Sequence, residues 1–263
     1  MRSAHEIDYT IGGEDIQYVE IELDPGESVI AEAGSMMFKN PRISMEAIFG
    51  DGSAQHSGFL GALASAGKRI LTGESLFMTL YTHEGHGKAT AAFAAPFPGT
   101  IVPVHLPDVG GELICQKDSF LAAAKGVAVG IALQKRIMTG LFGGEGFIMQ
   151  RLEGDGWCFV HAGGTLIERE LAAGEELHVD TGCVVAYTSG VDFEIERAGN
   201  IKSMIFGGEG VFFAHLKGPG KVWLQSMPFS RLAGRILANV PIAGSGQGEG
   251  SVLGPLGGIM RGS

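Results

Sequence analysis

The pentapeptide FGGEG occupies 142–146 and returns at 206–210, and around both occurrences a longer pattern repeats. Three stretches align without a gap: GESVIAEAGSMMFKNPRISM from Gly26, GGELICQKDSFLAAAKGVAV from Gly110 and GEELHVDTGCVVAYTSGVDF from Gly174. Their opening glycines coincide. So do Val29, Leu113 and Leu177, then Met37, Leu121 and Val185, then the turn pairs Pro41-Arg42, Lys125-Gly126 and Ser189-Gly190. Residue identity is low but the apolar spacing is kept, which is what a shared strand geometry demands of a repeated unit.

A second element follows each copy and opens on Gly-Glu: LTGESLFMTLYTHEGHGKATAAF, FGGEGFIMQRLEGDGWCFV and FGGEGVFFAHLKGPGKVWL. Each reads as two apolar strands joined by a glycine turn, at Gly85-His86-Gly87, Gly154-Asp155-Gly156 and Gly218-Pro219-Gly220, because glycine takes a positive φ without a Cβ clash. The 43 glycines of the 263 residues fit a turn-rich β chain better than a helical one. The strands are apolar on both faces, as in a closed barrel or a sandwich. Gly110 to Glu145 and Gly174 to Glu209 are each 35 residues apart, whereas Gly26 to Glu74 is 48. The first copy therefore carries an apolar, glycine-rich insertion of 13 residues within 47–70, holding Phe59, Leu60 and Leu63.

The expected fold is all-β: three repeated modules about a pseudo-threefold axis, in a barrel or sandwich, with a short C-terminal helix. One domain spans 1–240, with repeats at about 23–95, 106–165 and 171–227, a leading hairpin and that helix; 241–263 is expected to be a flexible glycine-rich tail. In PFSRLAGRILANVP, Ser230 is the expected N-cap, with Leu232, Ile236 and Val240 on one face and Asn239-Pro241 as the stop.

A formal charge of −10 opposes non-specific binding to phosphate backbones, so nucleic acid is not an expected partner. Lys217, Lys221, Arg231 and Arg235 form a sparse basic stretch that reads as a solvated face and helix end. Cys115, Cys158 and Cys183 lack CxxC spacing and are odd in number, which favours a reducing compartment. The start MRSAHEIDY has no apolar signal region, and FLAAAKGVAVGIAL is broken by Lys125 and too short for a bilayer. A cytoplasmic location is expected.

No nucleophile, phosphate-loop or zinc-protease motif occurs, and GSGQGEG in the tail lacks the strand before and helix after that a dinucleotide fingerprint requires. No cofactor, no metal and no catalytic residue is expected. His83 and His86 fall at a solvated turn with no third ligand, and His105, His161, His178 and His215 read as core or edge histidines. Glu74, Glu145 and Glu209 have two readings: carboxylates converging on a polar or cation site, or one turn device copied with its unit. Trp223, flanked by Lys221 and Gln225 at period two, is either a contact patch or a half-buried wall.

With GESLFMTLY, VDTGCVVAY, GPGKVWLQS and both FGGEG pentamers in place, the chain resembles the altered inheritance of mitochondria protein 24 family from about Ile7 to about Ala238. The resemblance implies a double-stranded β-helix type of fold, similar to the β-architecture of the tryptophan-attenuation RNA-binding protein. It implies mitochondrial, inner-membrane-organising roles for eukaryotic members, and it carries over no catalytic residues. Without an Arg-rich transit segment, this chain is expected to be a bacterial member. The expected function is a non-enzymatic scaffold or interaction protein that self-associates, with Phe59, Leu60, Leu63 and Trp223 at the interface and a protein or peripheral membrane surface as partner. The alternative is a small-ligand or cation-binding β-barrel.

Overall fold

The computed structural model describes residues 4–49, 77–135, 146–197 and 212–239. Glu74, Glu145 and Glu209, the apolar insertion with Phe59, Leu60 and Leu63, and the tail lie outside them. The strands, in chain order, are β1 (Asp8–Gly12), β2 (Tyr18–Leu23), β3 (Ser28–Glu32), β4 (Met36–Lys39), β5 (Ile43–Phe49), β6 (Phe77–His83), β7 (Ala89–Ala94) and β8 (Gly99–His105). They continue as β9 (Glu112–Gln116), β10 (Phe120–Ala124), β11 (Ala128–Lys135), β12 (Phe147–Glu153), β13 (Trp157–Gly163) and β14 (Leu166–Leu171). The last are β15 (Glu176–Asp180), β16 (Val184–Thr188), β17 (Asp192–Arg197), β18 (Phe212–Lys217) and β19 (Gly220–Gln225), followed by helix α1 (Phe229–Ala238).

Among the described residues these strands form four open antiparallel sheets, and no closed barrel. The orders are β1-β2-β7-β4, β5-β6-β3-β10-β13-β8, β11-β12-β9-β16-β19-β14 and β15-β18-β17. The triplet β5-β6-β3 recurs as β11-β12-β9 and as β17-β18-β15. Its complement β4-β7-β2 recurs as β10-β13-β8 and β16-β19-β14. Local geometry recurs with it. The register slips between Met36 and Phe38, Phe120 and Ala122, and Val184 and Ala186. The turns after these strands close through Ile43 N–H to Asn40 O, Val127 N–H to Ala124 O and Val191 N–H to Thr188 O, at 3.0, 3.1 and 3.0 Å.

The copies do not each own a sheet. Both six-stranded sheets join halves of neighbouring copies, through β3–β10 and β9–β16. What recurs is an order of pairing. The glycine turns also differ from expectation. β6 pairs with β3 and β5 while β7 pairs with β2 and β4, so the turn at Gly85–Gly87 carries the chain from one sheet to the next instead of closing a hairpin. The links β12–β13 and β18–β19 do the same. The two apolar faces of these strands follow from that crossing, since sheets packed face to face cover one another.

Two cores result. One joins the first three sheets through Val19, Phe93, Tyr81, Phe159, Leu113 and Trp223; the other lies between the last two and holds Phe147, Met149, Val184, Ala214 and Leu216. The helix begins two residues earlier than a Ser230 cap requires. Pro228 is the N-cap, its carbonyl accepting from Arg231 and Leu232 N–H at 3.0 and 3.2 Å, and Ser230 sits in the first turn. Proline, which has no N–H to leave unpaired, is suited to a helix start. Asn239 ends the helix as expected.

Candidate functional site

Trp223 belongs to the wall. It is 2 % exposed on β19, and Lys221 lies 5.0 Å from its ring centroid while bonding Glu168 at 2.6 Å. Gln225, next on that face, is also buried; it accepts from Gly163 N–H at 2.7 Å and donates to Gly182 O at 2.8 Å. Two more members of the basic stretch are paired, Lys217 with Glu176 at 3.0 Å and Arg231 with Asp180 at 3.5 Å. His83 is buried, not solvated. Its Nδ1 accepts from Gly85 N–H at 3.3 Å, which leaves Nε2 to donate to Gly87 O at 2.7 Å.

His161 is the other interior imidazole. It packs edge-on to Phe97 at 4.6 Å, and burial pulls its pKa from 6.5 down to about 4. Neither ring nitrogen makes a well-aligned hydrogen bond, although the Phe97 backbone weakly favours the charged form. Burial also raises the Cys115 and Cys158 thiols, so neither is a reactive thiolate. The nearby cavity, lined by Phe97, Gln116, Gln225 and Phe229, measures about 10 Å³, which is room for one water at most. Among the described residues, no helix is long and apolar enough to cross a membrane.

Two surfaces stand out. The first is the pair of strands that terminate the recurring pattern. β3 pairs with β10 and β9 with β16, but no ladder joins β15 to β4. Met37 and Phe38 on β4 are 51 % and 41 % exposed. Their counterparts by the 84- and 148-residue offsets of Gly110 and Gly174 from Gly26 are Leu121 and Ala122, then Val185 and Ala186, none above 1 %. An apolar strand is bare in one copy and buried in the other two.

The second is the outer face of the β15-β18-β17 sheet. His178 and His215 are directly opposite in the ladder, their ring centroids 4.8 Å apart. Glu196 reaches both, with Oε2 3.5 Å from His178 Nε2 and Oε1 3.3 Å from His215 Nδ1. One donor atom from each of the three lies within 4.8 Å of the others. Glu176 Oε2 stands 3.5 Å from His215 Nε2, and the Lys217 ammonium holds the Glu176 carboxyl below its ordinary pKa. The apolar strands around them make both histidines read as core or edge residues in the sequence. The signal was in the alignment: His178 stands where the other copies have Ile30 and Ile114, and His215 where the ladders place Leu80 and Arg151.

Comparison with known proteins agrees with this architecture. The chain is 31% identical over 227 residues to an uncharacterized protein of Streptococcus pyogenes serotype M6, covering 85% of this chain and 86% of that one. It is similar in fold to the crystal structure of a Streptococcus pyogenes protein, with a TM-score of 0.71 at 23% identity, covering 89% of this chain and 100% of the other. The family described as mitochondrial biogenesis AIM24 matches residues 9–227, nearly the whole run of strands, and the chain belongs to that family.

Proposed function

We propose that this protein is a non-enzymatic β-scaffold that associates head to tail, the free edge of β15 in one copy pairing with the free edge of β4 in the next. The observation that carries the reading is the mismatch between a recurring junction and its unused ends. At the internal junctions Ala31, Ile30 and Val29 face Ala122, Ala123 and Ala124, and Cys115, Ile114 and Leu113 face Ala186, Tyr187 and Thr188. The same offsets put Val179, His178 and Leu177 of one chain opposite Phe38, Lys39 and Asn40 of another.

An unpaired edge is a template for a further strand, and adding one satisfies its backbone donors and acceptors. It would also cover Met37 and Phe38, each contributing roughly 1.5–3 kcal/mol if fully buried. Because the two edges are different surfaces, the contact is heterologous and generates a ring if the rotation closes and a filament if it does not. An assembly of this kind is a platform, the physical role that suits a family described by organelle biogenesis. The alternative of a cation-binding barrel loses its barrel, since the sheets are open.

Light scattering over a concentration series tests the proposal. The parent is expected to exceed the 27.5 kDa of one chain, and the double substitution Met37→Lys, Phe38→Lys to return it to that mass with an unchanged far-UV spectrum. A parent that stays at one chain's mass throughout, or a double variant as large as the parent, contradicts it.

A further inference from the structure

We infer that the outer face of the β15-β18-β17 sheet is a divalent transition-metal site, with His178 Nε2, His215 Nδ1 and a Glu196 carboxylate oxygen as its protein ligands. Two imidazoles and one carboxylate form a borderline donor set suited to Zn²⁺ and its neighbours in the first transition row, not to Ca²⁺ or Mg²⁺. A tetrahedral zinc with bonds of about 2.0–2.2 Å sets its donors roughly 3.3 Å apart. The Glu196 oxygens already lie 3.3 and 3.5 Å from the two ring nitrogens, and the whole set is within 4.8 Å. Small rotations of the exposed His178 and Glu196 side chains close the remainder.

The surroundings fit ligation as well. When His215 binds through Nδ1, the proton sits on its Nε2, which lies 3.5 Å from Glu176 Oε2 and otherwise has no hydrogen-bond partner among the described residues. A carboxylate on the far nitrogen of a metal-bound imidazole fixes its tautomer and raises its basicity. Glu176 is therefore a positioning residue, and Lys217 anchors it in turn at 3.0 Å. The three ligands come from three adjacent strands, so the ion would staple the sheet from edge to edge and keep a fourth position for water or another donor.

The cluster belongs to one copy alone, which argues against a structural device carried along with the repeated unit. At the His178 position the other two copies bury isoleucines, Ile30 and Ile114. Lys39, which the proposed assembly would bring opposite His178, already donates to Ile43 O at 2.7 Å and does not compete for the imidazole.

Titration of the untagged chain with Zn²⁺ alone, followed by calorimetry and by melting temperature, tests the site. One equivalent is expected per chain, with a raised melting temperature. His178→Gln, His215→Gln and Glu196→Gln should each weaken binding by at least tenfold, whereas His86→Gln, at a turn remote in the ladder, should leave it unchanged. Co²⁺ in place of Zn²⁺ should give the visible absorption of a four-coordinate site. Glu176→Gln should weaken binding by a smaller factor and leave one equivalent bound. The double substitution Met37→Lys, Phe38→Lys should bind as the parent does, which separates this site from head-to-tail assembly. No heat and no thermal shift in the parent, or a His178→Gln, His215→Gln variant that binds like the parent, overturns the assignment.

Discussion

Gly26, Gly110 and Gly174 have φ of 89, 86 and 78°, and a Cβ added at any of them meets no atom within 4 Å. The only cost of a side chain there is the left-handed backbone, so alanine at each should lower unfolding free energy by a similar amount, about 1–2 kcal/mol. At Gly99 the same substitution would drive its Cβ into the Ala162 carbonyl, and chemical denaturation should show a far larger loss. His161 supplies a pH dependence. Its folded pKa of about 4 lies below the ordinary 6.5, so the unfolded chain takes up the proton first. Its contribution is complete above about pH 6.5 and is lost as pH falls toward 4, on the order of 3 kcal/mol in all. Melting curves at pH 7 and 4.5 should converge in His161→Leu relative to the parent. These glycines were legible in the sequence because each copy needs the same corner. The burial of His161 was not, because nothing local distinguishes it from His215, which lies partly exposed on a charged face.

For the elements, the strands and their turns were readable because apolar spacing and glycine corners are local signals, and Asn40, Ala124 and Thr188 accept the same turn bond in each copy. Partner choice is not local. The sequence joins β6 to β7 by a tight glycine turn, yet these strands lie in different sheets, since their two-sided apolar character is satisfied only by covering both faces. The N-cap differs from the sequence expectation because Ser230 has the chemistry of a cap while Pro228 occupies the position. Gln225 shows what holds elements of different sheets together: it links Gly163 on β13 to Gly182 beyond β15, and both bonds are buried. Gln225→Ala leaves two backbone groups unsatisfied and should cost about 1–3 kcal/mol for each, read as a lower urea midpoint. Gln225→Glu keeps the acceptor for Gly163 and loses the donor to Gly182, and should fall at least as far.

Among the described residues the recurring junction between copies ends in two unlike edges, β4 bearing bare apolar side chains and β15 a polar outer face. The sequence announced the recurrence but not its consequence, because exposure of Met37 and Phe38 follows from which strand edge finds no partner among the described residues, and only the sheet orders reveal that. Oxidative cross-linking between Phe38→Cys and Val179→Cys, in a Cys183→Ser background, tests head-to-tail pairing most directly. An equimolar mixture of the two single variants should give a disulfide-linked dimer that contains one of each, and neither variant alone should give it. No cross-link in the mixture, or a doubly substituted chain that closes its disulfide within a single molecule, would contradict the account.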